Sequence, residues 1–190
     1  MHEKKKMILE VMLRLISEQG IHATPMSQIA KEAGVAAGTI YHYFPSKEAL
    51  LNDLYLEVKR DLGLVLSGGL AAELPVKDKF WKMWKELFTY YTQNKLMFHF
   101  SSQMGHSPMI SAGVRAEGKL FYQPIINFFE QGVASGAFRR MDANLMAELV
   151  YSSVAATVSL SLLNDVDITE ELVQQAIQFS WDGIAAQHNA

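Results

Sequence analysis

Ile8, Met12, Leu15 and Ile16 recur at i, i+4, i+7 and i+8, and similar spacing repeats along most of the chain. An apolar stripe with this period must be covered by another element, so the chain is constrained to pack helix against helix. Five prolines and few β-branched runs leave little room for a sheet. The punctuation divides the pattern. Gly20 stops a first helix over residues 3–19. Thr24 is expected to cap a short second helix, with Pro25 in its first position and Gly34 at its end. A third short helix covers 36–44 and stops before Pro45. Ser46 caps a fourth, which is predicted to reach Leu66 before Gly68-Gly69 breaks it. Longer helices are predicted over 76–91, 95–104 and 110–134, the last kinked at Pro124. Asp142 opens another to Leu163, and Thr169 opens one to Gln187. The fold class is all-α.

Composition narrows the function. The chain has 190 residues, 49% of them hydrophobic and 19% charged, and no cysteine. Disulfides, thiol catalysis and thiolate metal sites are excluded. The low charge content points to a subunit interface or an apolar cavity, since a typical soluble domain carries about 25% charged residues. The longest apolar stretch, Leu149 to Asn164, is 16 residues long and holds Ser152, Ser153, Thr157, Ser159 and Ser161. That is too short and too polar to span a bilayer. Lys4-Lys5-Lys6 followed by Met7-Ile8-Leu9 imitates a signal peptide, but Glu10 and Arg14 interrupt the apolar run. The expected location is the cytoplasm. Residues 1–60 hold eight Lys and Arg against seven Asp and Glu, a balance of +1 that does not by itself argue for nucleic acid.

The local arrangement does. Within 24–44, Ala30 is small enough for a second helix to cross closely, and Gly34 can take the left-handed turn conformation. Ile40 can pack back on the preceding helix, with Ile29 and Val35 completing a small core. Small, glycine and aliphatic at this spacing fit a helix-turn-helix, whose second helix enters the major groove. An ordinary helical hairpin is the alternative on pattern alone.

The run from Ala33 to Leu51, AGVAAGTIYHYFPSKEALL, closely resembles the DNA-binding domain of the TetR (tetracycline repressor) family of bacterial regulators. Ile29-Ala30-Lys31-Glu32, Gly20 and Thr24 match the same pattern, so the likeness covers residues 8 to 55. A weaker likeness in Gly132 to Phe138 marks the turn before the family's dimerisation helices. The resemblance implies an Ω-shaped homodimer with a three-helix DNA-binding domain over 1–50, a linking helix to residue 66, and a ligand-binding and dimerisation domain over 51–190. It implies a ligand-responsive transcriptional regulator of operator DNA, most simply a repressor released by a small molecule. The rival is a helical small-molecule-binding protein with little DNA-binding activity.

On a 3.6-residue helix with Ile40 inward, Gly38 and His42 point outward, Thr39 and Tyr41 flank them, and Ala37 and Tyr43 lie at the margins. The family's DNA contacts carry over onto Thr24, Ala37, Gly38, Thr39, Tyr41, Tyr43 and Lys47. Lys47 sits at a helix N-terminus, where a cation and free amides together hold a phosphate. Residues 36–44 contain no Arg, Lys, Asn or Gln, the usual bidentate base readers. Readout must then lean on Thr39, His42, thymine methyls and DNA shape. Lys4, Lys5 and Lys6 form either an arm to the DNA or a solvated helix start.

Trp84 and Phe88, Phe98 and Met104, and Phe121, Ile125 and Phe129 around Pro124 form an aromatic set that is either plain core or the wall of a cavity for an apolar or aromatic inducer. Leu149, Ser153, Ala156, Leu160, Ile177 and Trp181 on the last two helices are expected at a homodimer interface, two helices per subunit forming a four-helix bundle. His99 and His106 lack a nearby carboxylate to complete a metal site, and Ser101, Ser102 and His106 lack a nucleophile elbow. No metal, cofactor or enzymatic reaction is expected.

Overall fold

The computed structural model describes residues 3–71, 73–105, 107–162 and 167–186. Among them the regular structure is helical: α1 Glu3–Gln19, α2 Met26–Glu32, α3 Ala37–Tyr43, α4 Lys47–Leu70, α5 Val76–Gln93, α6 Lys95–Met104, α7 Ala112–Leu120, α8 Gln123–Ala134, α9 Ala143–Leu162 and α10 Glu170–Ile184. One isolated antiparallel bridge joins Phe138 to Ala185. The fold class is the all-α one that the periodicity requires.

The chain divides into two compact units, Met1–Arg60 with Leu96–Gly118, and Asp61–Lys95 with Lys119–Ala190. In the first, α2 packs on α1 and α3 on α2. Ile8, Met12, Ile16, Ile29 and Ile40 are wholly buried there. Burial of each such side chain contributes about 1.5–3 kcal/mol, which holds two seven-residue helices too short to persist alone. In the second unit α9 is central, with α5, α8 and α10 against it.

Side-chain caps mark the starts of α4, α9 and α10. Ser46 Oγ accepts from the Ala49 amide, Asp142 Oδ1 from Leu145, and Thr169 Oγ1 from Leu172. Gly34 has φ +64°, so the left-handed turn falls where expected. Three expectations need correction. Thr24 does not cap α2: Pro25 takes the cap position, and the buried Thr24 hydroxyl donates to Gly20 O at 2.9 Å. Helix α4 runs through Gly68-Gly69 to Leu70. A Cβ on Gly69 would lie 2.8 Å from Met83 Cα, so glycine there serves a close approach to α5 and does not break the helix. The predicted helix over 110–134 is two helices, with Pro124 in the first turn of α8, where its missing N–H loses no bond. Leu163 and Gln187, the predicted ends of the last two helices, lie outside the described residues.

Helix α9 is long and apolar enough to cross a membrane by length and composition, because it starts at Ala143, before the stretch delimited from sequence. Leu145, Leu149 and Leu160 on it are 43–52% exposed.

Candidate nucleic-acid interface

Helix α3 buries Ile40 and turns one face outward. Ala37, Gly38, Tyr41 and His42 are exposed, Tyr41 by 54%, while Thr39 and Tyr43 are half-buried. The His42 and Tyr43 rings meet edge to face at 5.5 Å, and Tyr43 leans on the buried Phe44 at 6.5 Å. The small residues at the start of α3 leave its N-terminal turn bare, and the aromatic groups stand at its C-terminal end. Such a helix can lie close to a groove floor.

Two expected contacts sit differently. Thr24 is buried, and its hydroxyl donates to Gly20 O within the α1–α2 turn. Lys47 is half-buried, and its ammonium donates to the Ile21 carbonyl. Next to it, the Glu48 carboxyl is held below its ordinary value because its own amide and the Ser46 hydroxyl donate to it. The lysines at the start are helical: Lys5 pairs with Asp53 at 2.6 Å and lies over the Phe44 ring, and Lys6 faces Glu10.

A polar network that the sequence did not signal runs along the α1–α2 edge. Arg14 Nη1 lies 3.1 Å from Glu18 Oε2, and Arg14 Nη2 donates to Glu32 Oε2. Gln28 Nε2 donates to Glu32 Oε1 at 3.0 Å, and Gln19 Nε2 donates to Gln28 Oε1 at 3.0 Å and Ala23 O at 2.7 Å. The hydrogen bond from Arg14, then that from Gln28, holds the Glu32 carboxyl below its ordinary value.

In the second unit, Trp84 is wholly buried, stacks on Phe88, and donates from Nε1 to Ser153 Oγ at 3.0 Å and Ser180 Oγ at 3.2 Å. Phe129 and Ile125 are buried and Phe121 is half-buried. Phe98 and Met104 are also buried but belong to the first unit. An open groove of about 560 Å³ lies between α4 and α5, with Leu64, Val65 and Gly68 facing Lys85, Thr89 and Tyr90, and the expected ligand residues do not line it. Burial and the Asp61 charge push the Tyr90 phenol up to about 12.

Three of the expected interface residues, Ser153, Ile177 and Trp181, point inward, and the Ser153 hydroxyl accepts from buried Trp84 and Ser180. Ile177 is 1% exposed, and Trp181 packs on Phe80 and Phe138. The apolar residue that α10 does expose is Phe179, at 77%. Ala156 and Leu160 are exposed on α9, as is Leu149, whereas Ser153 is half-buried. His106 lies outside the described residues.

Residues 8–54 match the model of the bacterial regulatory proteins of the tetR family, and residues 75–185 match a tetracyclin repressor-like C-terminal domain. A helix-turn-helix transcriptional regulator from Haemophilus influenzae is 25% identical over 176 residues, 90% of each chain. The crystal structure of a tetR family regulator from Shewanella sp. PV-4 superposes with a TM-score of 0.90 at 28% identity, covering 98% of this chain and all of that one. FadR of Bacillus subtilis, solved in complex with stearoyl-CoA, shares the fold with a TM-score of 0.77 at 22% identity, over 94% of this chain and 98% of that one. The exposed α3, the left-handed turn at Gly34 and the two matched domains together place the chain in the tetR family of bacterial regulatory proteins, as a helix-turn-helix transcriptional regulator.

Proposed function

We propose that this protein is a repressor that holds operator DNA as a homodimer and lets it go when a small apolar or aromatic molecule binds the larger domain. The DNA reading rests above all on α3, which buries Ile40 and leaves Ala37, Gly38, Tyr41 and His42 on one open face. Residues 1–50 form the DNA head in this reading, and 51–190 serve ligand and dimer. Thr39 and His42 read bases, Tyr41 and Tyr43 touch the sugar-phosphate backbone, and much of the specificity comes from DNA shape.

The dimer reading is supported by α9, whose exposed Leu145, Leu149, Ala156 and Leu160 share one face, and by α10, which exposes Phe179. A second copy covers this side by helix-on-helix packing, with Ala156 permitting close approach. The ligand reading is supported by the buried rings of Trp84, stacked on Phe88, and of Phe129, packed on Phe128, and by the stearoyl-CoA held by FadR. Release follows if the ligand binds the free protein more tightly than the operator complex; moving a balance from 1:99 to 99:1 takes about 5.5 kcal/mol, or ~2.7 per site in a dimer. The protein works in the bacterial cytoplasm, binding its ligand without turning it over.

The test is selection of duplexes from a random library by the purified protein. The proposal requires enrichment of one sequence with two related half-sites about 34–36 Å apart or a multiple of that. Recovery of an unenriched library contradicts it.

A further inference from the structure

We propose that Arg14 is a positioning residue for DNA recognition, whose guanidinium forks between Glu18 of α1 and Glu32 of α2 and sets the roll of α2, and with it the aim of α3. The inference rests on the DNA-binding reading and adds a residue to it that touches no DNA.

Helix α2 has only seven residues; it buries Met26, Ile29 and Ala30 and packs against α1. An apolar stripe is non-directional: it holds the helix down but resists a small roll weakly, because rolled packings bury similar areas. Hydrogen bonds between charged groups are directional, and a guanidinium fork is rigid and planar. The network meets α2 along one flank, at Gln28 and Glu32, which lie one turn apart. Arg14 holds Glu32 from the α1 side, Gln28 holds the other Glu32 oxygen, and Gln19 holds Gln28. Gln19 also donates to Ala23 O and Thr24 Oγ1, and Thr24 donates to Gly20 O, so the chain of bonds ends inside the α1–α2 turn.

Roll of α2 passes to α3 through a short connection. Val35 N donates to Ala30 O at 3.0 Å, Gly34 is fixed in the left-handed region, and α3 packs on α2. Tyr41 and His42 stand at the far end of this lever. Base-edge hydrogen bonds tolerate only a few tenths of an ångström, so a small roll degrades sequence readout before it degrades attraction to phosphate. The Arg14 and Glu32 side chains remain 41% and 30% exposed, and exposed ion pairs contribute little to global stability. Their effect therefore appears in the ratio of affinities for selected and random DNA, not in the melting temperature.

The experiment uses the full chain and the duplex that the wild type enriches. Arg14→Lys keeps the charge and loses the fork; Arg14→Met loses both; Glu32→Gln loses the ion pair from the other side. Each is expected to lower the ratio of selected to random affinity roughly tenfold, an equilibrium change of the size single interactions produce. Random-DNA affinity, the salt slope and Tm stay at wild-type values. Arg14→Met added to Glu32→Gln lowers the ratio no further, because one interaction is removed twice. Shallower salt slopes with selected and random DNA weakened alike make Arg14 a phosphate contact and overturn the inference. So does an Arg14→Lys protein that discriminates like the wild type, additivity in the double variant, or a loss of discrimination that only tracks a fallen Tm. A wild type that enriches no sequence overturns the DNA-binding reading and this inference with it. A wild type that does so, with variants that discriminate equally well, overturns this inference alone.

Discussion

Lys47 Nζ donates a hydrogen bond to the carbonyl of Ile21, tying the first turn of α4 to the α1–α2 turn across a separation of 26 residues. The same ammonium is the group that family likeness assigns to phosphate. If it serves both, Lys47→Ala weakens selected and random DNA alike, and the slope of log K against log salt falls by about 0.9 per contact, or roughly twice that in a symmetric dimer. The variant also loses about 0.5–1.5 kcal/mol of stability, the usual size of one hydrogen bond. A lowered Tm with an unchanged salt slope makes Lys47 a tether only.

Gly132 is buried, and a Cβ placed there would lie 2.0 Å from Phe138 Cδ2. Phe138 in turn packs on Phe128, Phe129 and Trp181. Gly132→Ala is expected to destabilise the protein by about 1–3 kcal/mol, since the ring has to leave its place. Urea unfolding followed by tryptophan emission measures it. An unchanged midpoint contradicts the packing described.

The dimer proposal predicts that Ala156→Arg sediments as a monomer, because two uncompensated charges would meet near a two-fold axis. Tight operator binding is lost with it, while each head keeps its weak affinity for a half-site. Phe179→Ser acts in the same direction, since Phe179 is the most exposed large apolar side chain on these helices. Dimers that persist in both variants place the interface elsewhere.

Acid should loosen the DNA head. Hydrogen bonds from its own amide and the Ser46 hydroxyl hold the Glu48 carboxyl below its ordinary 4.5 in the folded chain. A lowered folded pKa means stability that is present above the ordinary value and is lost as pH falls through the folded one. Tm of the wild type should therefore fall from pH 6 to pH 3 more steeply than Tm of a Glu48→Gln variant. Parallel curves contradict the assignment.

Much of this was legible in the sequence where the signal was local. Ser46, Asp142 and Thr169 announce helix starts because their oxygens serve amides three residues on. Gly34 announces a turn because few other residues take its φ. Pro124 misled the reading of one kinked helix over 110–134, since a proline inside an apolar pattern fits the first turn of a new helix equally well. On α10 the apolar residues lie on more than one face, and periodicity does not say which faces the core; Ile177 and Trp181 do, and Phe179 does not. The Arg14–Glu32 pair and the Lys47–Ile21 bond join residues 18 and 26 positions apart, where no local spacing rule operates.

If α3 reads DNA, the exposed His42 and the half-buried Thr39 beside the open face each discriminate between base pairs. Affinities of the wild type, Thr39→Ala and His42→Ala would be measured on the selected duplex, on each single base-pair variant of it, and on random DNA. Each substitution is expected to abolish discrimination at one position per half-site, lowering affinity for the selected duplex by about 1–3 kcal/mol, while affinity for random DNA stays as it was. Discrimination that survives unchanged at every position in both variants would contradict that reading.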